Sequence, residues 1–119
     1  MRTTSGRLLM AFASASVRDQ VLAAQEDWCS ASRNDRTTLL AALHAIRRRG
    51  YERSIGERFV GGMDLGVLVG QPTSTTQAAL TIATLQDQQG PNLDAMLAPL
   101  TACADAIASQ AGLAPPEPA

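Results

Sequence analysis

The residues best placed to do chemistry stand at the start of the chain. Thr4, Ser5 and Gly6 lead directly into a stretch carrying Leu8, Leu9 and Phe12 at helical spacing. The first backbone N–H groups of a helix have no intrahelical acceptor, and they lie at the positive end of its dipole. Such a turn can therefore face an anion. Thr4 and Ser5 add hydroxyl donors at the same place, although Ser5 also reads as an ordinary N-cap.

Elsewhere the chemical content is thin. His44 lies on a helix with no Cys, Asp or Glu at ligand spacing on its face, which argues against a metal. Arg47, Arg48 and Arg49 are consecutive, so they point in different directions around a helix and suit its C-terminal dipole better than a phosphate. Trp28 closes a helical stretch and reads as packing. Cys29 and Cys103 form neither a metal spacing nor a disulfide framework. There is no Gly-x-Ser-x-Gly elbow, P-loop, dinucleotide fingerprint or paired-histidine motif. The expectation is a protein without catalytic residues, metal or cofactor.

The elements that must position these residues follow from periodicity. A short helix spans Gly6 to Ala13. Ser16-Val17-Arg18-Asp19 has the form of a capping box that opens a second helix to about Trp28, and polar residues from Cys29 to Arg36 read as a loop. Leu39, Leu40, Leu43 and Ile46 mark a third helix, capped at its start by Asp35 or Thr37 and closed by Gly50. Tyr51 to Ile55 is short and extended. Met63 to Val69 and Gln77 to Leu85 read as antiparallel strands joined by a hairpin through Gly70-Gln71-Pro72. After Gly90-Pro91, Asn92 is a helix cap. Leu93, Met96, Leu97, Leu100, Cys103, Ala104 and Ile107 trace one stripe of a final helix, which Pro99 should kink and Gly112 should end. Segregated helices and antiparallel strands make this an α+β chain.

The 119 residues suffice for one small domain with one core. A hydrophobic fraction of 45% and a mean hydropathy of -0.02 fit a globular, cytoplasmic protein, and no apolar run approaches the roughly 20 residues of a membrane span. Net charge is -1, with all 10 basic residues arginine, so the chain lacks the positive excess that free nucleic-acid binding needs.

Three stretches, in order, resemble the C-terminal effector domain of IclR-type bacterial transcription regulators. They are Thr4-Ser5-Gly6-Arg7-Leu8-Leu9-Met10-Ala11-Phe12; Leu43-His44-Ala45-Ile46-Arg47-Arg48-Arg49-Gly50-Tyr51 with Glu57, Gly61 and the strand from Asp64; and Ala78 to Ala83 followed by a long helix ending at Ala111-Gly112-Leu113. The similarity runs from about Thr3 to Gly112. Two departures stand out. Val67-Leu68-Val69-Gly70 occupies the place where the family usually has a strand proline, and the family's winged helix-turn-helix and first effector-domain strands do not precede the Gly6 region in this sequence.

The resemblance implies a GAF-like antiparallel sheet with flanking helices, incomplete in this chain. Residues 1–113 would be a partial effector-binding domain and 114–119 a disordered tail. It implies a pocket for a small organic metabolite effector, built where the Ser5-Gly6 turn meets the strand after Gly61. Thr4, Ser5, Gly6, Ser54 and Asp64 would be its ligand-binding residues. Asp64 opens an apolar strand, and a carboxylate there wants a donor such as a ligand hydroxyl or amide, while it would repel a ligand carboxylate. An Asp exposed at the strand entrance is the alternative. Glu57 would support its glycine-flanked loop, through Arg53 or Arg58. The parent would be a homodimer or tetramer that touches DNA only through an N-terminal domain outside this sequence. A structural or dimerisation module without ligand binding is the other reading, with self-association through an uncovered sheet edge.

Overall fold

The computed structural model describes residues 3–56, 60–74, 76–85 and 93–113. Its elements run α1 (Thr4–Phe12), α2 (Ala15–Ala23), α3 (Glu26–Ser30), α4 (Arg33–Arg49), β1 (Tyr51–Ile55), β2 (Gly62–Val69), β3 (Ala78–Leu85) and α5 (Leu93–Gln110). The α+β class is as expected. The readings made for Glu57, for Asn92 and for the 114–119 tail lie outside the described residues.

Serine and threonine caps set the helix starts, though not always the ones that spacing suggests. Thr3 Oγ1 accepts from the Gly6 amide and opens α1, and Ser14, not Ser16, accepts from Val17 to open α2. Ser32 accepts from Asp35 and starts α4 ahead of the expected Asp35 or Thr37. Asp35 instead sits in the first turn, where its charge complements the dipole. At the other end Arg47, Arg48 and Arg49 occupy the last turn, and Gly50 takes φ 87°, the left-handed conformation that closes a helix without a Cβ penalty. The stretch expected as a loop after Trp28 is partly helical. In α3 the acids Glu26 and Asp27 fill the first turn, and Arg36 donates to the Trp28 and Cys29 carbonyls while stacking on the Trp28 ring at 5.0 Å.

The sheet is antiparallel, in the order β1-β2-β3. In β2, Leu65, Val67 and Val69 pack with Leu100, Ala104 and Ala108 of α5. Side chains alternate across a strand, so Asp64, Gly66 and Leu68 face the other way, toward α1. Between α1, α2 and α4 lies a second core of Leu8, Met10, Ala11, Phe12, Leu22, Leu43 and Ile46, against which Leu68 and Ala79 of the sheet pack. The helix resting directly on this face of the sheet is α1. The helix ending at Gly50, α4, packs mainly on α1, one layer further out. The reason is size. Gly66 leaves room over β2 only for a close neighbour, and the small first turn of α1 fills it.

Pro99 stands inside α5 without ending it. The hairpin loop after Val69 is tied back to α1, since the Phe12 carbonyl accepts from the Thr73 amide at 2.7 Å and from Gln77 Nε2 at 2.9 Å.

Candidate functional site

The register of the sheet sets the rows of side chains beneath α1. Ser54 pairs with Asp64 and Asp64 with Ala83; Glu52 pairs with Gly66 and Gly66 with Thr81. Directly opposed residues of an antiparallel pair share a face, so these two rows form the floor on which α1 stands. A Cβ at Gly66 would lie 3.2 Å from Thr4 Cγ2 and 3.2 Å from Thr81 Oγ1. The lack of a side chain there is what brings the N-terminal turn of α1 against the strands.

Two polar contacts lock that turn. Thr4 and Ser54 are both buried and share a hydroxyl–hydroxyl hydrogen bond. One turn on, Arg7 Nε donates to Glu52 Oε2 at 2.7 Å. Glu52, itself buried, also accepts from Arg49 and from the Arg53 amide through Oε1. Glu52 thus joins the start of α1 to the end of α4 through β1.

The outcome is a cleft of about 240 Å³ lined by Thr3, Thr4, Ser5, Asp64, Thr81 and Ala83. Helix geometry leaves the Thr4 and Ser5 amides without intrahelical acceptors at its mouth, while the Gly6 amide is taken by Thr3. One wall carries an N-terminal helix turn with hydroxyls, which suits an anion. The other carries the Asp64 carboxylate, which accepts hydrogen bonds. Of the five residues singled out in the sequence, Thr4, Ser5 and Asp64 share this cleft. Ser54 is one step beneath its wall, holding Thr4. Gly6 opens onto a neighbouring groove of about 530 Å³ between α1, α2 and the hairpin loop, whose walls carry no charged residue. The groove is larger, but the convergent polar groups stand in the smaller cleft, which is therefore the better ligand site.

Sequence reasoning missed Thr3, Thr81 and Ala83. Thr81 and Ala83 lie on one face of β3 by simple alternation, and that signal was present, but alternation does not say which face meets α1. Glu52 was missed because it reads as an ordinary charge on a short strand. Among the described residues no group of His, Cys, Asp and Glu is arranged to hold a metal, and no helix is long and apolar enough to cross a membrane.

No protein-family model matches the sequence, and no curated protein matches it either. Solved structures do. A Silicibacter protein described as an IclR transcriptional regulator is 26% identical over 98% of this chain, with a TM-score of 0.71, and 48% of its own length is covered. The C-terminal domain of the Escherichia coli transcriptional regulator KdgR is 25% identical over 93% of this chain and 70% of its own, with a TM-score of 0.73. A double mutant of the inducer-binding domain of the Acinetobacter transcription factor PobR, solved with 3-hydroxybenzoic acid, shares the fold at 22% identity and a TM-score of 0.66, over 89% of this chain and 65% of its own. The fold and the order of elements are those of an IclR-type effector-binding domain. The chain spans about half the length of the Silicibacter regulator, and these neighbours are transcriptional regulators, not enzymes.

Proposed function

We propose that the chain is the effector-sensing and oligomerisation part of an IclR-type regulator, with residues 1–113 as its partial effector domain and no catalytic role. It senses a small organic metabolite in the cleft between α1 and β2. DNA contact would belong to a separate module of the parent, a reading that the net charge of -1 supports.

The observation that carries this reading is the meeting of the α1 N-terminus with Asp64 in one cleft. The two walls ask for a ligand with two unlike ends. A carboxylate fits the Thr4 and Ser5 amides, and a hydroxyl or amide fits Asp64. A cleft of about 240 Å³ suits a molecule the size of one substituted ring. The double mutant of the PobR inducer-binding domain was solved with a ligand of that chemistry, which makes 3-hydroxybenzoate a natural first probe. Binding acts on the parent only through a difference in affinity between its arrangements.

The test is calorimetric titration of the 119-residue chain with 3-hydroxybenzoate, benzoate and an aliphatic hydroxy acid. Saturable binding by a hydroxylated monocarboxylate, weakened by Asp64→Asn and by Ser5→Pro, supports the reading. Asp64→Asn should cost about tenfold, as a charge-assisted hydrogen bond becomes a neutral one worth about 1.4 kcal/mol less. Absence of heat and of thermal stabilisation with the whole panel would leave a structural module without a ligand.

A further inference from the structure

The helical layer holds a cavity of a different polarity. α2, α3 and α4 meet around a hollow of about 300 Å³ whose lining includes Leu22, Asp27, Trp28, Ala31, Asp35 and Leu39. It shares no lining residue with the cleft at Asp64. Exposure rises from its floor to its mouth: Leu22 is buried, Trp28, Ala31 and Leu39 are half-buried, and Asp27 and Asp35 are exposed. The lining carries two carboxylates and no basic residue, a polarity that opposes an anion and favours a cation. Indole is the aromatic surface that holds a cation best. In this corner it already holds one, since the Arg36 guanidinium stands 5.0 Å from the centre of the Trp28 ring. Arg36 directs its Nε and Nη2 donors to the Trp28 and Cys29 carbonyls. Among the described residues the Asp35 carboxylate has no ion-pair partner.

We propose that this corner is a second ligand site, for a small organic ammonium ion with an apolar body. The ammonium group stands at the mouth beside Asp27 and Asp35, and the apolar body lies on Trp28, Leu22 and Leu39. Desolvation sets this division. An ammonium ion is costly to take out of water unless carboxylates replace its hydration, so it stays at the exposed rim where both are at hand. The hydrocarbon gains by leaving water, and the buried and half-buried floor is where it can do so. The indole ring serves both ends, as apolar surface and as a partner for positive charge. A hollow of this volume takes one ring or a short chain. The site lies in the α2–α3–α4 layer and stands whether or not the cleft binds an effector.

Trp28 is the only tryptophan of the chain, so its fluorescence reports on this corner directly. The probes are phenethylammonium and its neutral isostere phenethyl alcohol, titrated into the 119-residue chain at neutral pH. The expected result is a saturable change with the ammonium ion, at a dissociation constant about tenfold or more below that of the alcohol. The double variant Asp27→Asn/Asp35→Asn keeps the side-chain shapes at two exposed positions and should abolish that preference. Asp105→Asn, an exposed acid on α5, should leave it intact, and so should Asp64→Asn in the cleft. No saturable change, or equal affinity for the ammonium ion and the alcohol, overturns the proposal. So does a preference that survives the double variant or disappears with Asp64→Asn. The comparison of the two probes on the wild-type chain needs no variant, so a double variant that fails to fold does not shield the proposal. Absence of ammonium binding leaves the effector reading standing, and failure of the hydroxybenzoate titration leaves this site standing.

Discussion

Arg7 and Glu52, forty-five positions apart, meet at 2.7 Å in a contact where their side chains are only 13% and 9% exposed. This ion pair fixes the first turns of α1 over β1, and with it the mouth of the cleft. Arg49 reaches the same carboxylate but is 38% exposed, so solvent screens it more. Glu52→Ala should therefore destabilise the fold by about 2–4 kcal/mol, because it removes a buried carboxylate that accepts from Arg7, Arg49 and the Arg53 amide together. Arg49→Ala should cost less than about 1 kcal/mol. Urea unfolding of the two variants gives the order directly.

The hydroxyls of Thr4 and Ser54 satisfy each other in a buried place. Thr4→Val or Ser54→Ala alone leaves a buried hydroxyl without its partner, at about 1–3 kcal/mol. The double variant should cost distinctly less than the two single costs added, since both polar groups go together. A double-mutant cycle by chemical denaturation checks this. Additive losses would mean that the two groups act independently.

Gly66 is the seat of α1. Gly66→Ala brings its new methyl to 3.2 Å from both Thr4 and Thr81 and asks for a small shift, whereas Gly66→Val must lift the helix. The valine variant should lose about 1–3 kcal/mol through overpacking, and alanine less. Ligand affinity should fall with it, because the Thr4 and Ser5 amides move away from Asp64. Thermal melting and titration on the same samples separate the two effects.

Asp64 should also set ligand charge. A dicarboxylate meets like charge at this residue, so Asp64→Asn should improve its binding relative to a hydroxylated monocarboxylate, by about tenfold or about 1.4 kcal/mol. Competition titrations of the two ligand classes against wild type and variant measure the ratio. An unchanged ratio would place the second end of the ligand elsewhere.

What the sequence determined by itself was local. The order of helices and strands, the close of α4 at Gly50 and the hairpin between β2 and β3 all depend on residues a few positions apart, and propensity and spacing report them. Spacing also misled at one start: the Ser16-Val17-Arg18-Asp19 pattern pointed to Ser16, whereas Ser14 accepts from the Val17 amide and opens α2. Thr4, Ser5 and Asp64 were singled out through a family resemblance, and their meeting in one cleft was beyond any local signal. Tertiary structure alone decided that α1, not α4, lies on the sheet, that Ser54 serves Thr4 and that Thr81 and Ala83 complete the wall. It also decided that Glu52 ties two helices together. Each of these rests on which face of a strand meets which helix. Alternation leaves that choice open, because both faces of β2 are apolar enough to bury, and the space over Gly66 resolves it.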